Sequence, residues 1–344
     1  MLNPILRIRA NMVAMAVFAI SFSLYIQPAV AQPVEANEPS PSQATPAMWR
    51  VTDADSEFTL LGTFHFLPPE LQWRSTAFND AFRHADVVYF EVDAEAPGAQ
   101  ATTVRIMMTQ GFNPQGALLS DMLEPGDVRK LQDISKSLSL RFAALNPMRP
   151  WQAFLTLSVQ LIVQQGFDPG SGVDSILLPE ARTLGKEVRF FETLGQQLEL
   201  FTGLEPKVEK ALLVLTINDW DEEVAAFDRL FTAWRTGDAD FIDEVMNTSM
   251  HKKVPEVFQR LIVERNKAWA TEITRVMKEG GGNGFVAVGA GHLVGGDYSV
   301  PALLAAEGFE VSRYGLDAAA PAANDNAAPD DEDIGALLKA LEDG

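Results

Sequence analysis

The chain contains no cysteine. That excludes a disulfide framework, a zinc ribbon, a cysteine nucleophile, an iron–sulfur cluster and a lipoprotein anchor. Histidine is scarce, with four residues, so any metal must be held by few imidazoles together with carboxylates or backbone oxygens. Positive charge is short as well: 27 Lys and Arg stand against 47 Asp and Glu, a formal net charge of −20. No basic stripe offsets it, and a surface this acidic repels phosphate backbones, which excludes nucleic acid as a partner. Beyond the amino terminus no apolar run approaches the ~20 residues that a spanning helix needs.

What is present is an ordinary globular composition, 47% hydrophobic and 22% charged over 344 residues. This is material for one large domain or two small ones. Arg7 and Arg9 precede an apolar stretch over 12–26, and Ala29-Val30-Ala31 stands before Gln32. A basic start, an apolar run and an A-x-A site together match a secretory signal peptide spanning 1–31. The apolar run is too short for an anchor, so the expected product is periplasmic or secreted, with no stable membrane insertion. Cleavage removes two arginines and no acid, leaving a charge of −22. Residues 32–47, with Pro33, Pro39, Pro41 and Pro46, are expected to be a linker. Residues 317–344 hold eight acids and one lysine and are expected to be a disordered, solvated tail.

The block between them, 48–316, has the patterning of one α/β domain with a parallel or mixed sheet and helical insertions. Phe58, Thr59, Leu60 and Leu61 form an apolar strand ending at Gly62-Thr63-Phe64-His65. A helix is expected to open at Pro68-Pro69-Glu70 and run to about Arg83, followed by a buried strand from Asp86 to Glu91. Strand, helix, strand predicts a parallel βαβ unit. Gly172-Val173-Asp174 starts a further helix, and a strand from Glu187 leads to Phe191 and Glu192. Phe285, Val286, Ala287 and Val288 form a strand entering Gly289-Ala290-Gly291-His292, and a last strand runs from Glu310 to Tyr314. Helical spacing recurs over 99–110, 125–139, 151–165, 205–234 and 255–278.

In open parallel sheets, ligands bind beyond the carboxyl ends of the strands. His65, Glu91, Glu192 and His292 each follow such an end, so four groups able to bind metal or move protons are expected to converge. Both histidines sit in a G-x-x-H element, where the glycine lets the chain turn sharply off the strand. His84 and His251 lie in polar surroundings and are expected at the surface. Asp174, at a helix start, has the position of an N-cap. Arg265 has two readings: a donor to an oxyanion or substrate carboxylate, or a buried ion pair with Glu192 or Asp174. The run Gly289 to Gly295 is not a dinucleotide fingerprint, because Val294 stands where that motif needs glycine.

These residues, in this order, resemble the TraB/PrgY/GumN family, which is related to the Tiki metalloproteases. The likeness runs from Trp49-Arg50-Val51 and Leu60 to His65, through Phe90-Glu91-Val92-Asp93 and Gly172-Val173-Asp174. It continues with Phe191-Glu192-Thr193, Gln196-Gln197, Arg265-Asn266 and Trp269, and closes on Val288 to Gly295. The resemblance implies an α/β fold akin to the erythromycin esterase and ChaN group. It also implies a divalent-metal site, with manganese or cobalt as the usual ions, formed by His65, His292 and Glu91. The activity implied is a metal-dependent hydrolase, a peptidase acting on peptide or protein. In that chemistry a metal-bound water is the nucleophile, Glu91 or Glu192 is ligand or general base, and Arg265 assists. The competing class is a non-catalytic periplasmic binding protein for a metal, haem or peptide.

Export is directly testable. Amino-terminal sequencing of material recovered outside the cytoplasm is expected to begin at Gln32, and an intact Met1 chain embedded in membrane would restore the anchor.

Overall fold

Apolar stretches with residues buried on both faces pair best with one another, and here they build the centre of the sheet. The computed structural model describes residues 44–280 and 282–315. Its strands are β1 (Met48–Thr52), β2 (Glu57–Thr63), β3 (Val87–Phe90), β4 (Glu187–Phe190), β5 (Asn283–Gly289) and β6 (Glu310–Tyr314). They form one six-stranded sheet in the order β4-β3-β5-β2-β1-β6. β2, β5, β3 and β4 are mutually parallel, while β1 runs antiparallel to both β2 and β6. The fold is thus the expected α/β class with a mixed sheet, and helices supply most of the remaining structure.

The expected parallel relation of β2 and β3 holds, but the two are not neighbours. β5 lies between them, paired with β2 from Glu57↔Asn283 to Thr63↔Gly289 and with β3 from Val87↔Gly284 to Phe90↔Ala287. β1 is an addition that patterning did not single out. Met48, Trp49 and Val51 are buried with only Arg50 exposed between them, which is not a strict alternation.

Helix boundaries differ in a few places. The helix expected from Pro68 begins later, as α1 (Thr76–His84), with Ser75 accepting the Phe78 N–H at 3.0 Å. The segment before it is tied elsewhere: Leu67 and Asp168 exchange backbone bonds at 3.2 and 3.0 Å, and the Leu71 N–H closes a turn on Pro68 O at 3.1 Å. The remaining long helices are α2 (Ala99–Gln110), α3 (Pro125–Ser137), α4 (Pro150–Gln164), α5 (Val173–Thr183) and α6 (Leu194–Thr202). The span read as one helical stretch over 205–234 breaks at Asp219 into α7 (Pro206–Asn218) and α8 (Trp220–Thr236). A π turn, Gln259–Val263, enters α9 (Glu264–Lys278), and α10 (Val300–Ala306) precedes β6.

The packed body reaches back beyond β1. Ala44 and Ala47 are buried, the Ala44 N–H donates to Gln72 O and the Thr45 N–H to Arg235 O, both at 2.7 Å. Residues 44–47, assigned by composition to the linker, are therefore held by the fold, because their backbone bonds replace those that water would make. The stretches expected to be a signal peptide, the rest of the linker and an acidic tail lie outside the described residues. Among the described residues no helix is long and apolar enough to cross a membrane.

Beneath the end of β2 sits an aromatic cluster. Phe64 is fully buried, with the rings of Trp234, Phe231, Phe227 and Phe167 at 5.6, 5.8, 6.0 and 6.5 Å. Trp234 Nε1 donates to Gly62 O at 2.9 Å, so the cluster also pins the turn that carries His65. Phe64→Ala is expected to cost about 3–5 kcal/mol of unfolding free energy, by lost transfer energy and the cavity left behind. Urea unfolding of both proteins checks this, and a loss under about 1 kcal/mol would mean that the cluster is not a principal support.

Candidate functional site

The parallel register does the first part of the positioning. Gly62 pairs with Val288 and Thr63 with Gly289, so the two G-x-x-H turns leave the sheet side by side. They pack closely: a Cβ on Gly62 would lie 3.0 Å from Ala290. On the other flank, Phe191 and Glu192 donate backbone N–H groups to Phe90 and Glu91 carbonyls at 3.0 and 2.9 Å. This continuation of the β3–β4 pairing sets Glu91 beside Glu192. The Gly172-Val173-Asp174 element closes over the His65 turn, where a Cβ on Gly172 would meet His65 O at 2.1 Å. Only glycine allows that approach.

Arg265 is the centre of the site. It sits in the first turn of α9, directly after the π turn, and its side chain is 5% exposed. Nε donates to Glu192 Oε1 at 2.7 Å, and Nη2 donates to Glu91 Oε2 at 2.7 Å and Glu192 Oε2 at 3.1 Å. Nη1 donates to His292 Nε2 at 3.0 Å and to Leu261 O, within the π turn, at 3.3 Å. A guanidinium carries five N–H donors, and these five bonds use them all. Of the two readings of Arg265, the ion pair is the one the geometry supports. Its partners are Glu91 and Glu192 rather than Asp174, and no N–H is left over for an oxyanion. The Trp269 ring lies under the guanidinium at 4.6 Å and donates from Nε1 to Glu192 Oε1 at 3.2 Å.

The two histidines are held in the same tautomer by different partners. His65 Nδ1 donates to Asp174 Oδ2 at 2.7 Å. Asp174 is therefore not the N-cap of α5; Gly172 has that position, and the carboxylate is spent on the imidazole. His292 Nδ1 donates to Asn266 Oδ1 at 2.6 Å. The amide orientation follows from its other end, since Asn266 Nδ2 donates to Tyr298 O at 2.8 Å and His292 O at 3.3 Å. Both rings thus carry the proton on Nδ1 and the lone pair on Nε2. Asn266, Gln197 and Trp269 were visible only as members of the family series. Their work is tertiary: Gln197 Nε2 donates to Glu91 Oε2 at 3.1 Å, and the Trp269 ring packs 4.4 Å from His292.

Burial sets the charges. It pushes the fully buried Glu91 carboxyl up, against the pull of Arg265. Burial also works against the charge on Arg265, but Glu91 and Glu192 outweigh it and hold that pKa above the usual guanidinium value. His292 lies well below the ordinary imidazole range, chiefly by burial and further by Arg265, so it is neutral. Glu91 Oε1 accepts the Gly289 N–H at 2.8 Å and stands 4.0 Å from His292 Nε2.

The structure therefore brings together Glu91, Glu192, Arg265 and His292, with the His65–Asp174 pair beside them. Glu192, 12% exposed, also lines a cavity of about 480 Å³ with Asp93, Ala96, Phe190, Phe191 and Leu194. His84 and His251 stay outside, both exposed; His251 stacks on Phe258 at 4.9 Å.

A divalent ion needs ligand atoms that are free to face it. The donor chemistry suits such an ion, since a bonded Nδ1 with the lone pair on Nε2 is how ligating histidines are held. The arrangement does not fit one. Arg265 already engages Nε2 of His292 and both carboxylates, and among the described residues no three His, Asp or Glu side chains are grouped to share an ion.

The model of the TraB/PrgY/gumN family matches residues 47–313 of the chain. Neither a curated protein nor a solved structure matches significantly.

The depressed pKa of His292 has a sign. Unfolding returns it to about 6.5, so between the two values the unfolded chain binds more protons. The stability owed to neutral His292 is full above about pH 6.5 and is lost as pH falls through the folded value. Glu91, raised, acts in the opposite sense: its contribution is present at low pH and is lost as pH rises. The difference in unfolding free energy between wild type and His292→Gln is expected to be constant from pH 8 to about 6.5 and to shrink below it. Urea titrations across that range check this; a difference that stays flat down to pH 5 would contradict a neutral His292.

Proposed function

The match over 47–313 makes this chain a member of the TraB/PrgY/gumN family, and from that premise we propose that it is an exported hydrolase of peptide bonds. The observation that carries the proposal is the His65–Asp174 pair at 2.7 Å, set at the carboxyl edge of four parallel strands beside two carboxylates. Asp174 holds the imidazole with Nε2 as its basic atom, which is the requirement for a general base acting on water. In hydrolysis the water oxygen bonds to the acyl carbon, the C–N bond breaks, and the proton taken by His65 passes to the leaving nitrogen. The cavity beside Glu192 offers room for a substrate side chain against Phe190, Phe191 and Leu194. Arg265 orients Glu192 and Glu91 in this reading and does not touch the substrate.

His65→Ala is expected to lower peptide cleavage by about 100-fold or more, the usual scale for losing acid–base assistance. His251→Ala is expected to keep wild-type activity. The measurement is cleavage of a mixed peptide library by mass spectrometry, with circular dichroism to show that each variant is folded. Full activity in a folded His65→Ala protein would end the assignment of His65 as base.

A further inference from the structure

The divalent ion implied by the family resemblance and the arrangement of the site compete for one position, that of the Arg265 guanidinium. We propose that Arg265 is an internal cation standing in the ion's place, so that the site as folded excludes a divalent cation for as long as the guanidinium holds it.

His292 has a single lone pair to give. Its Nδ1 proton is committed to Asn266 Oδ1 at 2.6 Å, and Nε2 accepts from Arg265 Nη1 at 3.0 Å. One lone pair serves one electrophile, so a metal at His292 displaces the guanidinium. The carboxylates give the same result. Glu192 meets Arg265 through both oxygens, at 2.7 and 3.1 Å, and Glu91 through Oε2 at 2.7 Å. The remaining Glu91 oxygen accepts the Gly289 N–H at 2.8 Å. Charge favours the exchange, because a divalent ion carries more positive charge toward the two carboxylates than one guanidinium does. A planar fork with five committed donors is also a strong competitor, so ion binding to the wild-type chain is weakened by the free energy of releasing it.

The test is calorimetric titration of MnCl₂ into the full chain and into Arg265→Ala. The variant is expected to bind one Mn²⁺ at least ~10-fold more tightly than wild type, the scale on which groups around metal ligands act. Adding His292→Ala to the variant is expected to remove that gain. Millimolar guanidinium chloride, filling the vacated position, is expected to weaken Mn²⁺ binding to Arg265→Ala. Equal Mn²⁺ affinity in wild type and folded Arg265→Ala overturns the proposal, as does a gain that survives the loss of His292. Arg265→Ala strips the partner from two buried carboxylates and can fail to fold. Arg265→Lys then serves, because an ammonium keeps the charge but not the fork. It is expected to gain Mn²⁺ affinity, and an unchanged affinity overturns the proposal. The site is the one assigned to hydrolysis, but the readout is ion binding. An inactive protein whose Arg265→Ala variant gains Mn²⁺ ends the hydrolase reading and keeps this one.

Discussion

The buried ion-pair cluster of Arg265 with Glu91 and Glu192 is the interaction on which the rest of the site depends. A charge taken out of water is tolerated only when its partners are close and fully hydrogen-bonded, and losing one partner of such a pair typically costs about 3–5 kcal/mol. Arg265 meets that condition with five bonds to four residues. The cluster ties α9 to the ends of β3 and β4 and to the turn after β5, so helix and sheet edge cannot shift independently. Two residues next to it on α9 extend the hold: Asn266 orients His292, and Trp269 packs against both the guanidinium and that ring.

Register explains why this cluster lies beside a second, differently charged pair. β2 and β5 are parallel neighbours with Gly62 opposite Val288, so both glycine turns leave the sheet at the same level. The histidines they carry then meet different partners. His65 is paired with a carboxylate, Asp174, and His292 with an amide and a guanidinium. Identical local motifs thus acquire different electrostatics, one imidazole with an anion at its back and one held neutral by burial and the Arg265 guanidinium.

The surrounding packing shows how little freedom the edge has. Phe64 and Trp234 hold the His65 turn from below, and Gly172 lets the start of α5 press against the His65 carbonyl. Preorganisation of this sort is what a reacting site requires, since side chains already in position lose no further freedom when substrate arrives. On its other side Glu192 borders the cavity formed by Phe190, Phe191 and Leu194.

Much of the framework was determined by sequence alone. The apolar runs at Phe58 and Phe285 could only be buried strands, the helix over 99–110 has the bounds expected from its spacing, and His65, Glu91, Glu192 and His292 were marked as strand-end groups by position. These follow from local rules, namely periodicity, turn chemistry and the tendency of parallel strands to present polar residues at one edge. What only the tertiary structure decided are relations between distant parts of the chain. β5 entered between β2 and β3, Asp174 turned from a helix cap into the partner of His65, and Arg265 became the counter-ion of Glu91, 174 positions away. No local rule encodes such pairings, because a carboxylate or guanidinium has the same propensity whichever partner it meets. The choice is made by which groups lose water together when the sheet and its covering helices close.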